Sequence, residues 1–396
     1  MAVNERVARA AQRLRGQGVV RDADEERAAS HLELFFDLTF VVAVSRASAA
    51  LHEQLVEGHV AHGIIGFVAA FFAIWWAWMN FTWFASGHES DDVPYRLLAL
   101  VQMTGVLVLA AGITRAVEHD AFAVATAGYV IMRTGLVVDW LRVARDQPTC
   151  RVRAQRYAIG MTVLQVLWIA RLAAPPSLLV VTFVPLGIAE LLVPMWAERA
   201  GHTAMFNPRH IEERYGLFTL IVLGETVLAA TTGFQAVLDR NGVSAELLAV
   251  GIGGLLLAFA VWWLYFDHPG HLTPTPHQAF RWGYGHVVVF LSLAALGAGV
   301  FVAAEAVVGG VRDRVGAMAV AVPSAGFLLG LAIVMVLCGT PVLSRRVWPK
   351  WAAACVMLAV GAFTSAAAAV VVCAAGMAGM AAAMVLAGAP AADPDR

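Results

Sequence analysis

Charge is what this chain has least of. Asp, Glu, Lys and Arg together make up 14% of its 396 residues, against roughly 25% in ordinary soluble domains. With 60% apolar residues and a mean hydropathy of +0.72, it leaves no room for a soluble domain. The net charge of −1 argues against nucleic acid as a partner. Cysteine is scarce as well. Cys150, Cys338, Cys355 and Cys373 show neither pairing nor metal-ligand spacing, so no disulfide framework is indicated. Three of them fall in apolar segments, where a free thiol behaves as a small hydrophobe. A glycine-rich phosphate loop, a His-Glu-x-x-His helix and a nucleophile elbow are all missing, which lowers the expectation of an enzyme. No cofactor or metal is implied.

What remains is a series of long apolar runs. A bilayer core of about 30 Å takes roughly 20 residues of helix to cross. Segments of that kind lie at 31–51, 60–85, 95–116, 120–142, 154–173 and 177–197, then at 210–233, 245–267, 283–308, 315–341, 351–372 and 374–389. They predict an all-α polytopic membrane protein with about twelve transmembrane helices, whose first partner is the lipid bilayer. The run from Trp351 to Ala389 has only small residues near Gly376 and Gly379 to turn it, so the last turn is expected there. Residues 1–29 carry six arginines interleaved with acids and no apolar core of the kind a cleavable signal needs. They read as a cytosolic tail, amphipathic or simply a disordered arm that fixes topology. Residues 391–396 form a short tail at the other end.

Lys and Arg set orientation. With twelve spans, the side holding the N-terminal tail and the even-numbered loops carries twenty of them, and the other side carries Arg115, Arg171, Arg240, Arg312 and Arg314. Both termini are therefore expected in the cytoplasm, with the protein in a bacterial plasma membrane.

The chain also copies itself. His31-Leu32-Glu33-Leu34-Phe35-Phe36-Asp37-Leu38 recurs as His210-Ile211-Glu212-Glu213-Arg214-Tyr215-Gly216-Leu217. The aromatic run from Phe72 to Asn80 matches the run from Phe259 to Asp267, and Tyr95-Arg96 resembles Phe280-Arg281. These ordered matches suggest two repeats, 30–200 and 208–390. Six spans is an even number, so the halves would lie parallel, an arrangement found among transporters with a site near the midplane. The plainer alternative is a duplication that only builds a stable bundle.

Polar groups inside the apolar runs are the candidate functional residues, because a charge in hydrocarbon is costly without a partner. Glu33 and Asp37 are four residues apart and share one helix face. His210, Arg214 and Glu225 fall on one stripe of the seventh span, with Glu225 deepest and Gly224 beside it to admit a neighbouring backbone. Arg133 and Asp139 lie in the fourth span, and Glu190 in the sixth. Arg133 needs an acid, and Asp37, Glu225 and Glu190 are the candidates. Asn80 and Asp267 occupy matching repeat positions, and Glu213 adjoins the His210–Arg214 pair. Such pairs either glue helices together or include a titrating group, with Glu225 the first choice for that group. His268, His271 and His277, like His52, His59 and His62, lack diagnostic metal spacing and read as wet loops. Trp75, Trp76, Trp78 and Trp83 line a pathway or anchor the helix at the interface.

The two anchor sequences carry a resemblance. Ser30 through Val41 resembles the opening signature of the bacterial low-temperature-requirement A proteins, and Arg209 through Thr226 their second signature. The likeness extends over about residues 30–375. It implies a polytopic bacterial membrane protein and brings no biochemical activity with it. The residues themselves favour a secondary transporter for an unknown small solute or ion. Proton coupling would run through intramembrane carboxylates, since desolvation favours a neutral acid. The alternatives are a membrane enzyme acting on a hydrophobic substrate through His210, Glu213 and Arg214, or a non-catalytic sensor. Substrate, coupling ion and oligomeric state stay open.

Overall fold

The computed structural model describes residues 28–88, 90–175, 178–201, 206–238, 244–267, 272 and 275–386. Among them there are twelve α-helices and no strand. They are α1 His31–Val56, α2 Val60–His88, α3 Val93–His119, α4 Ala123–Asp146, α5 Arg151–Arg171 and α6 Leu179–Glu198. The series continues with α7 Pro208–Leu238, α8 Ala245–Phe266, α9 Pro276–Val307, α10 Asp313–Leu337, α11 Trp348–Phe363 and α12 Ala366–Leu386.

Ten of these helices are long and apolar enough to cross a membrane, fewer than the twelve expected. The exceptions are α5 and α11. Arg151, Arg153, Arg156 and Arg171 dilute the apolar content of α5. Helix α11 has 16 residues, which at 1.5 Å each reach about 24 Å, short of a bilayer core. The final turn is also displaced from its expected place. Gly376 and Gly379 lie inside α12, and the chain breaks at Thr364–Ser365 instead. The break has a clear cause: Ala368 N donates to Ser365 Oγ (3.3 Å) and Ala366 N to Asp313 Oδ1 (2.7 Å) at the start of α10. These acceptors supply the partners that the first amides of a helix otherwise lack.

Other boundaries follow their sequence cues. Asp92 caps α3 by accepting from Tyr95 N at 2.7 Å, with a proline in the first turn. Asp120 ends α3 in the left-handed conformation, with φ of 53°. Ser244 caps α8.

The surface of α1 inverts the pattern of a soluble helix. Glu33 and Asp37 are 0% and 1% exposed, while Leu34, Phe35 and Leu38 are 41%, 51% and 59% exposed. That distribution suits a lipid surround, in which apolar side chains face outward and charges are kept inside the bundle.

The chain forms two compact units. One comprises the segment up to Arg46, Ala69–Arg214 and Pro274–Pro276; the other comprises Ala47–Val68, Tyr215–Thr273 and His277–Arg396. Helices α1, α2 and α7 contribute to both. In the first unit α3 packs on α4, α4 on α5 and α5 on α6. The α3–α4 contact is a glycine seam: a Cβ on Gly128 would stand 2.2 Å from Leu109 N, and one on Gly112 2.4 Å from Ala125 N. In the second unit α10 packs on α11 and α12, and α12 on α8. There α9 and α10 approach as closely, with a Cβ on Gly299 falling 1.9 Å from Ala319 O. Small residues at helix contacts are the usual means of close packing in membranes.

Candidate functional site

The site begins with two helix starts. Ser30 and Glu33 form a capping box on α1: Ser30 N donates to Glu33 Oε2 (2.8 Å) and Glu33 N to Ser30 Oγ (3.3 Å). The cap uses one carboxylate oxygen and leaves Oε1 turned toward α7. At the start of α7, Asn207 Oδ1 accepts from His210 N (3.1 Å), and Asn207 N donates to Ser86 Oγ on α2 (2.9 Å). His210 and Arg214 then follow one turn apart on the face that meets α1.

The two anchor copies thus meet side chain to side chain. Arg214 grips Asp37 with two bonds, Nη2 to Oδ1 at 2.6 Å and Nε to Oδ2 at 3.0 Å. Its Nη1 stands 2.9 Å from Glu33 Oε1, and His210 Nε2 stands 3.1 Å from the same oxygen. Trp78 Nε1 on α2 donates to Asp37 Oδ1 at 2.8 Å. All five side chains are buried. A two-point guanidinium–carboxylate pair is the strongest form of such contact. Two carboxylates face one guanidinium and one imidazole here, and His210 Nδ1 has no hydrogen-bond partner among the described residues.

A second buried centre lies within the same unit. Arg133 on α4 pairs with Glu190 on α6, Nη2 to Oε2 at 2.7 Å. Glu190 also accepts from Trp76 Nε1 (2.9 Å) and Trp168 Nε1 (3.1 Å). Tyr129, one turn before Arg133, accepts from its Nη2 at 2.8 Å and lies with its ring 5.0 Å below the guanidinium carbon. Of the acids proposed for Arg133, Glu190 is the partner. Asp37 is bound by Arg214.

A third group closes the end of α4. Arg142 binds Asp92 and reaches Asp139 Oδ1 at 3.4 Å, while Gln102 Nε2 donates to Asp139 Oδ2 at 3.3 Å. Beside it lies a cavity of about 20 Å³ lined by His88, Tyr95, Asp139, Arg142, Asp146 and Gln147 among others.

The remaining candidates are dispersed. Glu213 is exposed and accepts from Ala29 N at 3.2 Å, so it does not join His210 and Arg214. A residue immediately before a buried one on a helix points about 100° away from it. Asn80 is buried, and its Nδ2 donates to Trp76 O within α2 at 2.7 Å. Asp267, its repeat counterpart, is exposed at the C-terminal end of α8. Glu225 is buried in the second unit against α9, where a Cβ on Gly297 would meet Glu225 Cβ at 2.9 Å. The close backbone approach therefore belongs to Gly297 and not to Gly224, whose own added Cβ would meet nothing within 4 Å. Trp75 and Trp76 are buried, whereas their counterparts Trp262 and Trp263 are exposed. His268 and His271 lie outside the described residues, as do residues 1–27 and the tail beyond Leu386. Among the described residues no group of three or more His, Cys, Asp or Glu is arranged to hold a metal.

Sequence reasoning missed Trp168, Asp92, Arg142 and Tyr129 as partners. The four-residue step from Tyr129 to Arg133 was a usable signal. Trp168 left none.

The family model described as Bacterial low temperature requirement A protein (LtrA) matches residues 28–389. That range takes in both halves of the Glu33–Asp37–His210–Arg214 cluster. The chain is also similar to "Uncharacterized protein RA0937" of Rhizobium meliloti (strain 1021), 28% identical over 288 residues, covering 68% of each chain. With ten apolar helices of spanning length and this match along nearly its whole length, the chain belongs to the LtrA family of bacterial multi-pass membrane proteins.

Proposed function

We propose that this protein is a secondary transporter of a small solute or ion, coupled to protons through the Glu33–His210 contact. The observation that carries this reading is the charge count of the buried cluster. Arg214 and Asp37 form a two-point pair, and Glu33, 2.9 Å from Arg214 Nη1, also stands 3.1 Å from His210 Nε2, so two carboxylates share one guanidinium and one imidazole. A purely structural pair needs one acid and one base. The second acid, facing an imidazole inside a membrane bundle, is the arrangement of a proton-handling site. The titrating role passes from Glu225 to Glu33. The enzyme reading loses its constellation, because Glu213 faces outward and Arg214 is engaged by two carboxylates.

In this reading α5 and α11 complete two parallel six-helix halves with both termini in the cytoplasm of a bacterial plasma membrane. Support for the halves comes from the order of neighbours. The α3, α4, α5, α6 succession of the first unit has a counterpart in α9, α10, α11 and α12, six helices later. Both anchor sequences open the first helix of a half. The twenty-to-five distribution of Lys and Arg supports the orientation.

The test is reconstitution in liposomes and measurement of currents on a solid-supported membrane over a panel of amino acids, sugars, organic anions and organic cations. At least one class gives a current that grows with an imposed pH gradient, and Glu33→Gln abolishes that dependence while leaving solute binding in place. Folded protein that gives no current with any class, with or without the gradient, overturns the proposal.

A further inference from the structure

The Arg133–Glu190 centre is not used by the proposed proton site, and its arginine differs from Arg214 in one respect. All three guanidinium nitrogens of Arg214 stand within 3.0 Å of a carboxylate oxygen. Arg133 uses a single nitrogen, Nη2, for both Glu190 and Tyr129. Its Nε and Nη1 are buried and have no hydrogen-bond partner among the described residues. A guanidinium saturated by its own fold is a clasp, whereas one with two unengaged donor nitrogens inside a bundle can receive a further acceptor. Glu190 has spare capacity as well. Its Oε2 takes the close bonds from Arg133 (2.7 Å) and Trp76 (2.9 Å), while Oε1 has Trp168 at 3.1 Å and Tyr129 at 3.5 Å. Pro194, four residues further along α6, has no N–H to offer the Glu190 backbone carbonyl.

Beside these two charges stands an aromatic wall. Phe72 of α2 lies near-parallel to Trp76, with centroids 6.2 Å apart. Phe183 of α6 meets Phe72 at 6.0 Å and Trp168 of α5 at 5.3 Å, both edge-on. Phe72, Trp168 and Phe183 are half-buried. Gly187, three residues before Glu190 and on the same side of α6, adjoins this wall. A Cβ on Gly187 would meet only the Phe72 ring, at 3.6 Å, which is ordinary contact. Packing does not require a glycine there, so its effect is to leave room.

We infer that this centre binds a zwitterionic α-amino acid with an apolar or aromatic side chain. Arg133 Nε and Nη1 take the carboxylate, Glu190 takes the ammonium, and Phe72, Trp168, Phe183 and Gly187 hold the side chain. Charge selects the zwitterion. Arg133 and Glu190 already cancel, so a solute with net charge leaves an uncompensated charge inside the bundle, and a zwitterion does not. Arg133 and Glu190 are one hydrogen bond apart, at 2.7 Å, so two groups on a single α-carbon reach both. The inference names the solute of the transporter reading above and rests on it for its role, while the binding itself needs no proton.

The test is equilibrium binding of radiolabelled phenylalanine, leucine and alanine to the full-length protein in lipid nanodiscs, read by scintillation proximity. At least one of the three binds saturably. Phenethylamine, which lacks the carboxylate, and 3-phenylpropionate, which lacks the ammonium, each compete about tenfold or more weakly than phenylalanine, as expected when one charged hydrogen bond is lost. Gly187→Leu lowers phenylalanine affinity by about tenfold or more, and Gly187→Ala, whose methyl fits beside Phe72, gives a smaller loss. Saturable binding of none of the three amino acids to monodisperse wild type overturns the inference, and a current with another solute class would still leave the transporter reading standing. Either analogue competing as well as phenylalanine overturns the assignment of a zwitterion. Unchanged affinity in whichever Gly187 variant is monodisperse overturns the placement at this centre. Binding with the expected selectivity but no current in liposomes supports the site and overturns transport instead.

Discussion

At the scale of single residues, the two acids of α1 do different work despite sitting one turn apart. Asp37 is held by two guanidinium bonds and an indole N–H. Breaking a buried pair from one side leaves the other charge uncompensated, at a cost of about 3–5 kcal/mol. Asp37→Asn is therefore expected to lower the melting temperature in detergent much more than Glu33→Gln, because Asp37 takes two bonds from Arg214 and one from Trp78, whereas Glu33 makes a single contact with Arg214. Equal shifts for the two variants would refute this division of labour. Glu190→Gln belongs with Asp37→Asn, since among the described residues it leaves Arg133 without the acid it pairs with and with Nε and Nη1 already lacking hydrogen-bond partners. Trp76→Phe removes one hydrogen bond to a charged acceptor, a loss of about 1.5–3 kcal/mol. The ranking Glu190→Gln above Trp76→Phe is readable from thermal denaturation of the three proteins side by side.

At the scale of helices, small residues and caps decide what packs. Gly128 sits against the Leu109 backbone with no room for a side chain. Gly128→Leu should separate α3 from α4, and with it the Asp92–Arg142 and Gln102–Asp139 contacts that cross between them. The measurable outcome is loss of monodisperse protein on size exclusion, whereas Gly224→Ala, in open space, leaves the profile unchanged. Asp313→Ala tests the α11–α12 break. It removes the acceptor for Ala366 N, a cap worth about 1 kcal/mol. Most spans fall near their expected places because apolar length is a local property, while their exact starts are set by caps such as the Ser30–Glu33 box and Asp92. The last turn was misread because the stretch from Trp351 to Ala389 is uniformly apolar, and the cue lay in two hydroxyl residues, Thr364 and Ser365, rather than in the glycines.

At the scale of the whole molecule, orientation is the property most directly open to experiment. In the proposed orientation, with both termini in the cytoplasm, a membrane-impermeant maleimide labels Arg312→Cys, between α9 and α10, in intact cells. It labels Arg145→Cys, at the end of α4, only after the membrane is opened. The opposite pattern would invert the proposed orientation.

The sequence by itself determined the solvent, the helices and the anchors. Apolar length, charge distribution and the two His-x-Glu stretches are local or compositional properties, and they survive whatever the helices do next. The tertiary structure alone decided the partners. Arg133 had three acids within the plausible reach of neighbouring helices and took Glu190; Asp37 went to Arg214, four residues beyond His210 on α7. That choice depends on which helices lie side by side, and adjacency is set by the sum of many weak close contacts such as the Gly112 and Gly128 seam. No single residue spells out that sum, so the charges could be counted in advance while their pairing could not.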